Sequence, residues 1–101
     1  MKMNEGDMNI LAHLPYIKVK RTIEDNVQNH KEEEHIIELS SYGIQTTYDT
    51  FLLEEVLDIS YRDFSQHLGL LYLHTIKGLY SYTVKTNPQS FIREFKKIKQ
   101  I

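Results

Sequence analysis

The segment Leu70-Leu-Tyr-Leu-His-Thr-Ile-Lys-Gly-Leu-Tyr-Ser-Tyr-Thr-Val-Lys85 decides the fold class. Two runs of aliphatic and aromatic residues are broken only by Lys77-Gly78, the residue types of a tight turn between antiparallel strands. With those two as the turn, Ile76 is expected opposite Leu79 and Thr75 opposite Tyr80. Opposed residues share a sheet face. Leu71, Leu73, Tyr80, Tyr82 and Val84 then form one side, and Tyr72, His74, Ile76, Leu79, Ser81 and Thr83 the other. The first set is the more apolar and is assigned to the core.

Downstream, Asn87 is a helix N-cap and Pro88 suits the first helical position, where its missing N–H costs nothing. Phe91, Ile92, Phe95 and Ile98 recur at helical spacing as one apolar stripe, with Arg93, Lys96, Lys97 and Lys99 on the other faces. Upstream, residues 35–39 read as a strand, 40–43 as a turn and 44–48 as the return strand, followed by short strand 51–53. In the strand 56–62, alternation places Leu57, Ile59 and Tyr61 on one face and Val56, Asp58, Ser60 and Arg62 on the other. Residues 63–69 read as a polar connection.

The N-terminal third is harder. Residues 1–7 are polar and expected to be loose, and Met8, Ile10, Leu11 and Leu14 suit a helical turn or an opening strand ended by Pro15. Ile17, Val19 and Ile23 alternate with Lys18, Lys20 and Thr22 as a strand. Asp25, Asn26, Asn29 and His30 favour a long loop or irregular hairpin, and the structure of residues 24–34 stays open. Several strands followed by one amphipathic helix make a mainly β domain, a curved sheet or open barrel with the helix plugging an end.

A chain of 101 residues holds one domain, and 41% apolar with 26% charged residues is a globular composition. Without cysteine there is no disulfide, thiolate nucleophile or cysteine-based zinc site. The start has neither the basic region nor the apolar run of a signal peptide, and the longest apolar stretches fall far short of the ~20 residues that span a bilayer. A soluble, cytoplasmic protein is the expectation. Residues 1–60 carry five Lys/Arg against twelve Asp/Glu, and residues 61–101 seven against two. Complementary halves attract each other within one fold, and the acidic half opposes general attraction to nucleic acid.

Tyr48-Asp-Thr-Phe-Leu-Leu-Glu-Glu-Val56, Asp58-Ile-Ser60, Gly69-Leu-Leu-Tyr-Leu-His-Thr75, Gly78-Leu-Tyr-Ser-Tyr82 and Pro88-Gln-Ser-Phe-Ile92 together resemble bacterial pleckstrin-homology-like (PH-like) domains over residues 35–101. The resemblance implies an open barrel of two near-orthogonal antiparallel sheets capped by the helix, serving as a scaffold for lipids, peptides or partner proteins. The chain has no tryptophan, so Phe91 or Phe95 would fill the place of the helix tryptophan typical of eukaryotic members. Nor does Lys18-Val-Lys-Arg21 reproduce the spaced basic motif that clamps inositol phosphates.

Chemistry-bearing residues are scattered. His13, His30, His35, His67 and His74 fall in no short ligand spacing, and a structural role is read for each ahead of metal binding. Glu54, Glu55, Asp58 and Asp63 read as polar steps at sheet corners, since neighbours in a chain do not form an acid–base pair across a cleft. No serine lies in a nucleophile elbow, and four glycines make no phosphate loop. Tyr72, Tyr80 and Tyr82 suit strand packing better than base stacking. The reading is a non-catalytic binding scaffold without cofactor, its partner an unknown protein, with self-association through a sheet edge as a further expectation. Anionic lipid bound through the basic helix is the alternative, and single-stranded nucleic acid on the tyrosine-rich sheet comes third. Lys18, Lys20, Arg21, Arg93, Lys96 and Lys97 are the candidate contacts to an anion or partner.

Overall fold

The computed structural model describes residues 10–65 and 68–100. The readings for residues 1–7, Met8 and His67 lie outside the described residues. Among the described residues seven strands and one helix run in the order β1 (Ile10–Glu24), β2 (Val27–Ser40), β3 (Gly43–Gln45), β4 (Thr50–Leu52), β5 (Val56–Ser65), β6 (Leu68–Thr75), β7 (Gly78–Val84) and α1 (Gln89–Lys99). A 3-10 turn over Leu53–Glu55 separates β4 from β5. The strands form one antiparallel sheet in the order β4-β3-β2-β1-β7-β6-β5. Among the described residues no helix is long and apolar enough to cross a membrane.

Phe91, Ile92 and Phe95 of α1 are buried against Leu14, Ile37, Leu39, Ile59, Leu71, Leu73 and Val84 in one core. The stripe read from sequence is thus the face that packs, with Ile98 half-buried beside it. The helix starts one residue later than expected, with Pro88 at the N-cap and Gln89 first, and from outside it the Asn87 Oδ1 accepts the otherwise orphaned Gln89 N–H at 2.9 Å. At the other end Gln100 is left-handed and its N–H returns to the Lys96 carbonyl.

The β6–β7 hairpin keeps the expected faces but not the expected register. Thr75 pairs with Gly78, Leu73 with Tyr80 and Leu71 with Tyr82, so Ile76-Lys77 is the turn. The Thr75 hydroxyl fastens it, donating to the Gly78 carbonyl at 2.8 Å and accepting the Lys77 N–H at 3.0 Å. Relative to the expected register, each residue meets a partner two positions earlier. A shift of two preserves the side of every side chain. The core assignment therefore stands on a corrected pairing.

Other expectations change: the return strand read over 44–48 is the shorter β3 (Gly43–Gln45), and residues 46–49 form the loop to β4. A bulge between Val56 and Asp58 reverses the alternation of β5, burying Val56 and leaving Leu57 55% exposed while Ile59 stays inside. The segment 63–69 is not a connection over its full length, since β5 runs to Ser65 and β6 begins at Leu68. Pro15 does not end a strand: it lies within β1, opposite Ile36. β1 pairs with β7 only at Ile17↔Thr83, so around Pro15 it behaves as an edge on that side, where a residue without N–H is tolerated.

The open segment 24–34 is a regular two-stranded arm. The β1–β2 ladder continues without a break from Ala12↔Leu39 to Glu24↔Val27. Its turn is Asp25-Asn26, with φ of 51° and 63°, the left-handed pair that suits a two-residue hairpin and that Asp and Asn tolerate. Beyond Ile17 no third strand among the described residues joins the arm, because β2 meets β3 only over residues 38–40. The 50 Å long axis of the molecule and its radius of gyration of 15.5 Å, against about 13 Å for a compact chain of this length, fit a projecting ribbon. Asn26→Val should cost about 1–2 kcal/mol at this left-handed position. Amide exchange should accelerate across the arm and leave the α1 amides unchanged; equal acceleration in both would refute a locally held arm.

Candidate functional site

Where β1 and β7 separate after their single pairing, a cleft of about 420 Å³ opens. Residues 16–19 of β1 form one wall and residues 80–83 of β7 the other, while Tyr48 and Asp49 of the β3–β4 loop overhang them. Thr46 holds this loop: its Oγ1 accepts the N–H groups of Tyr48 (3.2 Å) and Asp49 (2.9 Å), and its own N–H donates to the Asp49 carbonyl (2.8 Å). Local side-chain bonds of this kind set a turn without help from the ladder.

Aromatic rings line the floor. Tyr16 meets Tyr82 edge-on at 5.0 Å between centroids and lies tilted 5.4 Å from His35, which in turn meets the Tyr48 ring at 5.4 Å. Tyr80 packs edge-on against Phe51 at 4.8 Å. The Lys18 ammonium sits 4.4 Å from the centroid of the Tyr48 ring, a cation–π contact. The Tyr82 hydroxyl donates a long 3.4 Å hydrogen bond to Asp49 Oδ2.

Among the described residues the Tyr16 hydroxyl, on the cleft, and His35 Nε2, whose ring packs against Tyr16, are buried without a hydrogen-bond partner. The latter lies 3.4 Å from Glu33 Oε1, an ion-pair distance without hydrogen-bond alignment, while Nδ1 shares a 3.0 Å hydrogen bond with Thr47 Oγ1. Orphaned buried polar groups are rare in folded proteins and cluster where water or a ligand belongs. Burial pulls the Glu33 carboxyl upward, but the Lys20 ammonium at 3.4 Å and the neighbouring His35 ring outweigh it and hold the group below the usual carboxylate range.

Burial, and secondarily the Asp49 charge, push the Tyr82 phenol far above its ordinary value near 10. Above pH ~10 the unfolded chain releases this proton while the folded chain keeps it, so stability contributed by Tyr82 falls as pH rises from there. A Tyr82→Phe variant should lose stability less steeply between about pH 10 and 12 than the parent, measured by urea unfolding across that range. Parallel slopes would contradict the burial.

The cations singled out in the sequence have separate placements. Lys18 lines the cleft, Lys20 pairs with Glu33 at 3.4 Å, and Arg21 lies exposed one position further, on the opposite face of the arm. Arg93, Lys96 and Lys97 line a shallow groove on α1 with Gln89 and Ile92, and Lys97 pairs with Glu94 at 3.5 Å. Glu55 is a local fastener, accepting the Leu52 N–H at 2.9 Å and facing Lys77 at 3.7 Å, and Asp58 accepts the Ile59 N–H at 2.8 Å. Tyr80 turns inward with Tyr82 while Tyr72 shares the outer face with His74, so the three tyrosines make no single stacking surface. Among the described residues no group of three His, Asp or Glu is placed to hold a metal ion.

Sequence reasoning missed Tyr16, His35, Tyr48 and Asp49 as one site. The alternation Leu14, Tyr16, Lys18 was available to place Tyr16 inside, once Pro15 is read as part of the strand. Compared with family models, with curated proteins and with solved structures, the chain matches none.

Proposed function

We propose that this domain is a non-catalytic binding module of PH-like architecture that captures an extended segment of a protein partner in the seam between β1 and β7. The strand order, with β1 beside β7 and a capping helix after the last strand, supports the PH-like reading. The observation that carries the functional reading is the seam itself. Two strands meet at one residue pair and then part around a cleft lined by residues of both, leaving their facing edges unpaired with each other beyond that bridge. An incoming extended chain would continue the ladder there, its main chain supplying affinity and alternate side chains entering the aromatic floor.

Selection of displayed random heptapeptides on the immobilised domain tests this. Enriched sequences should shift the backbone NMR signals of residues 17–19 and 80–83, and an Ile17→Pro variant should lose them. Shifts confined to the outer face of β5 and β6 would defeat the proposal. The cationic groove on α1 favours a second reading, peripheral contact with anionic lipid. It predicts co-sedimentation with phosphatidylserine vesicles that fades as salt rises and that Arg93→Gln with Lys96→Gln removes.

A further inference from the structure

We infer that the β1–β7 cleft selects a segment carrying a lysine or arginine side chain, and that Lys18 is an internal competitor for the same position. This rests on the proposed capture of an extended segment. Three observations point to a cation. A cation of the chain already occupies the face of Tyr48, at 4.4 Å. Asp49, the neighbouring residue in the same overhang, offers a carboxylate whose side-chain contact is the long 3.4 Å hydrogen bond from Tyr82, and among the described residues no Lys, Arg or His pairs with it. Tyr48 is 58% exposed as a residue, so it lies within reach of an outside group as well as of Lys18.

Lys18 reaches the ring from an exposed position on β1 and is directly opposite Glu33, which is already engaged by Lys20 at 3.4 Å. An exposed side chain resting on a ring and free to leave it is a weak internal ligand. Its displacement uncovers the Tyr48 face without unfolding any element. An arriving ammonium or guanidinium would take that face and gain Asp49 as a counter-charge, a combination of ring and carboxylate that discriminates a cation from an uncharged chain of equal size.

Titration of the domain with N-acetyl-lysine methylamide, its norleucine counterpart and inorganic phosphate, followed by NMR to ~10 mM, tests the inference in the affinity range of a single contact group. The lysine probe should shift Tyr48 and Asp49 saturably and the norleucine probe should not. Lys18→Gln should tighten the lysine probe by about 2–5-fold, the worth of an exposed cation–π contact. Asp49→Asn and Tyr48→Leu should each weaken it, with unchanged circular dichroism showing that the fold is intact. Equal binding of norleucine, no gain with Lys18→Gln, or no saturable shift would overturn the inference. Phosphate binding at Tyr48 that Lys18→Gln abolishes would overturn it too, as the mark of an anion site. Heptapeptides that bind the seam without any basic residue would sink this inference while leaving segment capture standing.

Discussion

Phe95→Ala should lower the unfolding free energy by about 3–5 kcal/mol, the largest single loss expected from truncating one side chain in this domain. Phe95 is fully buried at the centre of the stripe that α1 presents to the sheet, among Leu14, Ile37, Leu71 and Leu73. Removing the ring leaves a void that strands on several sides cannot collapse to fill, so the cavity cost adds to the lost transfer energy. Domains of this size are stable by ~5–15 kcal/mol, and the variant would lie near the edge of folding. Its thermal midpoint should fall by about 15–25 °C. Ile76→Ala is the control: that side chain is 64% exposed in the β6–β7 turn, and its removal should stay within ~0.5 kcal/mol. If both variants unfold together, the helix does not seal the core.

Gly43→Ala carries the second large effect, through backbone rather than packing. A Cβ at Gly43 would lie 1.9 Å from the Phe51 carbonyl oxygen and 2.9 Å from Leu52 C and Leu53 N. All three are backbone atoms, and they belong to the strand and turn that Gly43 pairs with, so no side chain can swing aside. The glycine φ of +152° adds strain for any L residue. The expected loss is about 3–5 kcal/mol, from overpacking and backbone strain combined. Gly78→Ala separates the two causes: its φ is +129° but nothing stands within 4 Å of the added carbon. That variant should lose only the conformational part, about 1–3 kcal/mol. Urea unfolding of the pair decides it, and equal losses would remove the steric argument. Because β3 and β4 anchor the loop bearing Tyr48 and Asp49, Gly43→Ala should also disorder the cleft, seen as loss of the Tyr48 NMR shifts.

Local pattern made the mainly β class and the C-terminal helix legible. Leu71, Leu73, Tyr82 and Val84 alternate without interruption, and Phe91, Ile92 and Phe95 recur at helical spacing, so burial follows from neighbours in the chain. Errors arose where one residue changes the phase. The bulge at Val56 and Asp58 inserts an extra residue that no composition marks, and every later side chain in β5 is displaced relative to Val56. Asp25-Asn26 was readable as a two-residue turn, but the polar residues after it looked like loop because an arm solvated on both faces has no apolar alternation to display. Pro15 misled because its tolerance depends on what runs beside β1, which is a tertiary fact.

By itself, then, the amino-acid order determined the mainly β class, the faces of the β6–β7 hairpin and the apolar stripe of the C-terminal helix, since those depend on contacts a few residues apart. Only the tertiary structure decided that β1 meets β7 at one pair, that the arm projects without a third strand, and that Tyr16, Lys18, Tyr48, Asp49 and Tyr82 share a cleft. These residues lie up to 66 positions apart in the chain. Their meeting is set by how far two twisted strands diverge after a shared bridge, and strand geometry at that scale leaves no periodic trace in composition.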